Sequence, residues 1–258
     1  MKKLLIALSA LIVLLPSRLL AWGRTGHHLV AEIAFTYLDD ATKQKVLHYL
    51  NGMTIEDAST WMDELRGNTQ YPNMSTWHYI NIEKGQSFDP ASTGNVVTEL
   101  ARVVNELKTA KGLTDEQIRV DLLIIFHLCG DISQPLHDGY GEDRGGNSIQ
   151  VSFLGTPSNL HSVWDSKIIE NKKITIEDCL NQKNNVDAPR KFDPRAWMEE
   201  GRAFLPIVYD IKDQQIGQDY IDRAQPVIER QILLGGDRLA LVLKEVMAGM
   251  PDQAAAVK

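Results

Sequence analysis

His127 and Asp131 stand four residues apart, and so do His161 and Asp165. On a helix that spacing puts an imidazole and a carboxylate on one face, one turn apart. The stretch before His127 is built largely of Leu, Ile and Phe, so this pair lies in an apolar setting where polar groups need partners. Two explanations compete: a buried His–Asp hydrogen bond that serves the core, or a pair of metal donors. Pro135 then stops the helix and presents His137 near its end. Two imidazole–carboxylate pairs plus His137 form a donor set suited to zinc. Upstream, Asp63 in Trp61-Met62-Asp63 and His78 in Trp77-His78 are weak signals alone, since an Asp on a helix is usually a solvated face and a His beside Trp is usually packing. His27, His78, His127, His137 and His161 lie in apolar or turn contexts with another donor nearby in sequence. His48 reads as a surface helix residue, and His28 points away from wherever His27 points.

The chain's beginning bears on a further donor. Lys2 and Lys3, an apolar run over residues 4–15 and Ala21 ahead of Trp22 read as an export leader cleaved after Ala21. That run is too short to span a bilayer, and none elsewhere approaches the ~20 apolar residues a span requires. Cleavage would make Trp22 the first residue, with an α-amine and carbonyl oxygen able to close a five-membered chelate on a metal. An α-amine, with a pKa of about 7.7 to 8, gives up its proton to a metal easily near neutral pH. His27 can fold back to the same ion across Gly23 and Gly26. The expected exported form is one domain over residues 22–258, periplasmic or secreted, with no membrane association.

Helices must position these donors. Apolar residues at helical spacing predict helices over 26–38, 42–50, 54–65, 95–108, 118–128, 158–170, 174–181, 194–210 and 219–247. Asp39 and Asp40 are caps for the second, and Thr114 with Gln117 forms a capping box ahead of the most apolar stretch. A helix apolar on nearly all sides belongs at the centre of the fold. Pro226 is expected to kink or divide the last helix. Strand signals are confined to 77–82 and 148–154, and the glycines over 139–147 suit a loop bordering a cleft. The expected class is mainly α, with one catalytic domain.

Charge narrows the function. The chain of 258 residues carries 27 Lys and Arg against 34 Asp and Glu, a formal charge of −7 that becomes −10 once Lys2, Lys3 and Arg18 leave with the leader. So acidic a chain excludes a general electrostatic coat for nucleic acid. An anionic substrate needs a local positive centre, which bound metal supplies. Cys129 and Cys179 are too few for a disulfide scaffold, and the sequence leaves open whether they pair.

In chain order, Trp22-Gly23-x-x-Gly26-His27, Trp61-x-Asp63-x-x-Arg66, Trp77-His78, His127-x-x-x-Asp131, Gln134-Pro135-Leu136-His137, Gly145-Gly146-Asn147 and Asn159-Leu160-His161-Ser162-x-Trp164-Asp165 resemble the zinc-dependent single-strand nucleases of fungi and plants, also called 3′-nucleotidases. The resemblance implies a compact multi-helix fold shared with zinc phospholipases C, with a short β-hairpin, and a three-zinc cluster. It assigns Asp63, His78, His127 and Asp131 to the first ion, and His137, His161 and Asp165 to the second. The third takes the Trp22 amine and carbonyl, His27 and Asp131, so that Asp131 bridges two ions. It further implies in-line attack of a metal-bound hydroxide on single-stranded DNA or RNA, giving 5′-phosphate products, by a monomer without a stable protein partner.

Asp63, Arg66 and Asn159 are the expected catalytic residues. Arg66 suits a phosphate oxygen or a surface ion pair, and Asn159 suits the scissile phosphate, a metal-bound water or a helix cap. Tyr79 stands at the family's base-stacking position, and Asn81 stands where some relatives carry Asp to read a base edge. Ser133 also departs from the motif and, as a non-ligand, is expected to matter little. Two rival readings are a zinc phospholipase C and a non-catalytic exported zinc-binding protein. The first places Glu where Asp165 stands; the second has no use for Arg66, Tyr79 and Asn159.

Overall fold

In the computed structural model, which describes residues 22–65, 67–69, 71 and 73–251, the N-terminal helices form where apolar spacing and caps place them. The leader reading of residues 1–21 and the phosphate-contact reading of Arg66 lie outside the described residues. α1 (Arg24–Tyr37) follows Gly23 and buries His27 beside Leu29, Val30, Ile33 and Ala34. α2 (Asp40–Leu50) is capped by Asp39, which accepts from the Thr42 N–H, and α3 (Ile55–Glu64) by Thr54, which accepts from the Asp57 N–H. Each cap satisfies a donor that the first helical turn leaves open. α4 (Val96–Thr109) opens on a capping box between Asn95 and Thr98, and α5 (Asp115–Asp131) on one between Thr114 and Gln117.

α5 is the centre: residues 121–131 are all buried, and α1, α2, α3, α4 and the C-terminal helix pack around it. Beyond it, β1 (Gln150–Phe153) and β2 (Thr156–Asn159) pair antiparallel with Phe153 opposite Thr156. Leu154 and Gly155 take φ of 49° and 84°, the two-residue turn whose twist matches a hairpin. α6 (Leu160–Ser162), a π-helical turn (Val163–Lys167) and α7 (Ile168–Lys172) form one continuous run. α8 (Ile176–Asn181), α9 (Pro194–Arg202) and α10 (Leu205–Val208) follow. β3 (Gln215–Ile216) then adds parallel to β1, ahead of α11 (Gln218–Ala248). α1 lies against α11 at Gly236, where a Cβ would collide with the Ile33 side chain.

The mainly α architecture with a short hairpin is the expected one; three local readings need correction. Residues 77–82 form no strand. After a 3-10 turn (Met74–Thr76), the chain runs extended and bonds only intermittently, from the Ile80 and Ile82 N–H groups to the carbonyls of His137 and Gly139. The helix expected over 158–170 begins only at Leu160, because Asn159 closes β2 and serves as the cap. The helix expected over 194–210 splits after Arg202, since Pro206 has no N–H for the Arg202 carbonyl and its ring crowds that turn. Of the two outcomes expected at Pro226, division is excluded: α11 runs on through it, the proline faces solvent, so water can satisfy the carbonyl it leaves open, and Ile221, Ala224, Val227 and Ile228 stay packed. Cys129 and Cys179 are both free and buried.

Candidate metal centre

Five separate stretches of chain converge at the C-terminal end of α5. α1 supplies His27, the last turn of α3 supplies Asp63, and the turn after Thr76 supplies His78. α5 supplies His127 and Asp131 and the turns beyond it His137, while the run after β2 supplies His161 and Asp165. Asp131 lies at the middle. Its Oδ2 is 3.1 Å from His78 Nδ1 and 3.2 Å from His127 Nε2; its Oδ1 is 3.4 Å from His27 Nε2 and 3.5 Å from His137 Nδ1. Asp63 Oδ1 stands 3.9 Å from both His78 Nδ1 and His127 Nε2. On the far side, Asp165 Oδ2 is 3.1 Å from His161 Nε2, and Asp165 Oδ1 is 3.9 Å from His137 Nε2.

Three groups therefore have donor atoms within 4.8 Å of one another: His78, His127 and Asp131; His27, Asp63 and His127; and His137, His161 and Asp165. The middle group adds a proximity between His27 and Asp63 that sequence order did not suggest. Trp22 is fully buried, and the Gly23 N–H beside it donates to the carbonyl of Asp165 at 2.8 Å, which ties the start of α1 to this cluster. Gly130 makes room for His27, since a Cβ there would stand 2.6 Å from its Nδ1. The freed ring stacks on His127 with centroids 4.1 Å apart.

Backbone carbonyls orient three of the imidazoles. His127 Nδ1 lies 2.7 Å from the Ser59 carbonyl, His137 Nδ1 2.7 Å from that of His78, and His161 Nδ1 2.7 Å from that of Gly145. A carbonyl can only accept, so each Nδ1 carries the proton and each Nε2 offers its lone pair inward. His127 Nε2 and His78 Nδ1 approach to 2.9 Å, a hydrogen-bond distance that one proton bridges. Burial pushes His137 down to about 3, and burial with the nearby His127 also lowers His27, so both are neutral at pH 7, the form that binds metal.

The donor set fits zinc. Imidazole nitrogen and carboxylate oxygen are its usual non-sulfur ligands. Buried His27 Nε2, His137 Nε2 and Asp131 Oδ1 have no hydrogen-bond partner, a costly state that a cation removes.

The remaining expected residues frame this cluster. Asn159 Oδ1 accepts from the Ser162 N–H at 2.8 Å, so Asn159 is the helix cap, and its amide nitrogen is not used by that bond. Tyr79 is exposed next to His78, and Asn81 is exposed farther along the same extended segment. His48 is a surface residue 4.0 Å from Asp115.

Ser133 is no ligand but a buried joint, accepting from Arg238 Nη1 at 2.8 Å and donating to the Cys129 carbonyl at 3.0 Å. Sequence reasoning missed the fully buried Asp138, the Arg238–Glu200 ion pair at 2.6 Å, and Arg202, which reaches the backbone after His137. Only the charged residue directly after His137 in an apolar motif could have signalled them. The arginines come from distant helices without a motif.

A sequence model of the S1/P1 nuclease family matches residues 22–248. The chain is 26% identical to Nuclease S1 of Aspergillus oryzae, over 96% of this chain and 99% of that protein. It is 29% identical to Nuclease P1 of Penicillium citrinum, over 87% and 97%. With Endonuclease 5 of Arabidopsis thaliana it shares 26% identity over 91% and 93%.

Proposed function

The chain belongs to the S1/P1 nuclease family and is a nuclease, and on that premise we propose that it cuts single-stranded DNA and RNA to 5′-phosphate products, and 3′-nucleotides to nucleoside and phosphate, at a centre of three zinc ions. Asp63, His78, His127 and Asp131 would hold the first ion, and His137, His161 and Asp165 the second. Trp22, through its amine and carbonyl, would hold the third with His27 and Asp131. The observation that carries this reading is Asp131, whose Oδ2 lies 3.1 Å from His78 Nδ1 and 3.2 Å from His127 Nε2 while its Oδ1 lies 3.4 Å from His27 Nε2. One carboxylate placed in this way would serve two ions, and a metal pair would supply the chemistry for in-line displacement at phosphorus.

Bound zinc supplies a nucleophile at neutral pH and positive charge for the transition state. The protein's part is placement. Asp63, at the cluster's edge, orients the attacking water, while Arg66 and the Asn159 amide hold phosphate oxygens. Tyr79 stacks on a base, which an intact duplex does not offer, and Asn81 reads its edge. Removal of residues 1–21 on export frees the Trp22 amine, and the exported chain works as a monomer.

The test sets denatured DNA, RNA, duplex DNA and phosphatidylcholine micelles side by side, with zinc counted in the same preparation. Rapid cleavage of the single strands, slow cleavage of duplex and no lipid hydrolysis are expected. Equal rates on duplex and single strand would contradict the stacking role, and lipid hydrolysis alone would replace the substrate class.

A further inference from the structure

Two irregular segments meet behind the candidate base contact. Residues 78–82 lie beside residues 137–139, joined by His137 Nδ1 to the His78 carbonyl at 2.7 Å, Ile80 N–H to the His137 carbonyl at 2.8 Å and Ile82 N–H to the Gly139 carbonyl at 3.1 Å. Neither segment belongs to a helix or sheet ladder, so these bonds join the two directly, while the Tyr79 carbonyl also accepts from the Val96 N–H at 3.3 Å. The far end of the seam is closed from a distant element. Arg202, the last residue of α9, donates Nη1 to the carbonyls of Asp138 and Gly139, the latter at 3.1 Å, and Nη2 to the Ile82 carbonyl at 3.1 Å. Its guanidinium also lies 5.6 Å from the centre of the Tyr140 ring.

A planar fork engaging carbonyls on both sides of a seam holds them at a set separation, which a flexible ammonium cannot do. We infer that Arg202 is a positioning residue that sets the base-contact segment carrying Tyr79 and Asn81 against the metal-bearing turn at His137. This rests on the nuclease reading and on Tyr79 as the stacking residue. His78, at the near end, keeps its own bond to His137, so loss of the clamp frees the end of the segment beyond Tyr79 more than the end that holds metal.

The experiment is a double-mutant cycle on the zinc-loaded protein, with Tyr79→Ala, Arg202→Gln and both together, assayed on single-stranded DNA and on the same strand with abasic sites. Arg202→Gln should raise KM on intact DNA about fivefold, with kcat changed less than about twofold and zinc content unchanged. That KM effect should vanish on the abasic strand and in the Tyr79→Ala background. Arg202→Lys, which can reach one carbonyl, should give an intermediate KM and keeps the test open if the glutamine variant folds poorly. Additive KM effects, an equal rise on abasic DNA, or zinc loss with a falling kcat would each overturn the role of Arg202. If Tyr79→Ala alone changes nothing, the stacking reading itself fails and the inference falls with it.

Discussion

Asp121 and Asp131 lie on the same helix, α5, both buried, yet their carboxyls are driven in opposite directions. At Asp131 burial favours the protonated form, but the surrounding imidazoles, His127 and His137 foremost, outweigh it and hold the group well below the usual carboxylate range. At Asp121 burial also favours the protonated form, Glu106 reinforces it, Arg102 opposes it only in part, and the carboxyl rises to about 7. Burial alone therefore does not mark a functional carboxylate. What separates the two is the ring of imidazoles around Asp131, which makes that end of the helix a candidate cation site and leaves the other a neutral acid at moderate pH.

The strongest way to break that contrast is Asp131→Ala. The variant should lose ions from two sites and fall in activity by more than about a hundredfold, beyond what loss of a residue supporting a ligand costs. Its thermal midpoint should fall too, because an ion present at a hundredfold its Kd contributes about 2.7 kcal/mol. Chelation of the unmutated protein should reproduce the thermal shift; an unchanged midpoint after chelation would remove metal from the stability of this end. His161→Ala should empty the second site and slow cleavage greatly, while His48→Ala should alter neither metal content nor rate. Three zincs retained in His161→Ala would refute that site's ligand set.

The third site can be probed without a substitution. Protein expressed with a Met ahead of Trp22 has an amide in place of the terminal amine, no longer a basic donor at neutral pH. It should fold, hold one zinc fewer and lose most of its activity relative to the exported form. N-terminal sequencing, zinc content and rate on both forms decide this, and full activity in the Met-extended protein would exclude a terminal ligand.

These variants could be named early because the relevant signals are local in sequence. Capping at Asp39 and Thr114 and the pairs His127–Asp131 and His161–Asp165 each lie within one helical turn. The π-helical turn that carries Asp165 has no such signature, and β3 is two residues held by contacts with β1. Residues 77–82 read as a strand because they are apolar and aromatic, yet the partner they find is a turn. The Arg202 clamp joins α9 to carbonyls, groups every residue has, so no side-chain pattern announces it. Ser133 was legible as a non-ligand but not as the acceptor for Arg238.

A smaller effect is expected at the exposed rim. Tyr79→Ala should weaken single-strand binding by about 1 to 3 kcal/mol while leaving metal content intact. Replacing Asn81 with Asp should change the ranking of bases, measured as relative kcat/KM on homopolymers. An unchanged ranking would take Asn81 out of the base contact.

The least effect on catalysis belongs to Asp121→Asn, which instead sharpens the electrostatic contrast. The folded carboxyl titrates near 7 and the unfolded one near its ordinary value of 3.8. Below both values each state holds the proton and the group is neutral toward stability. Between them the unfolded chain has released its proton while the folded chain keeps it, so stability falls as pH rises, and above about 7 the full cost is present. At 1.36 kcal/mol per unit the cost reaches a few kcal/mol at most, roughly 1 to 4. Asparagine keeps the size and carries no charge at any pH. The stability difference between the variant and the unmodified protein should be small near pH 4 and grow in the variant's favour up to about pH 7.5. Taking the difference at each pH cancels the contribution of the metal centre, whose groups are the same in both proteins. Denaturant midpoints across this range, with cleavage rates as the control, test it: a constant offset would show that Asp121 ionises normally in the fold, and the two ends of α5 would then differ in occupancy alone.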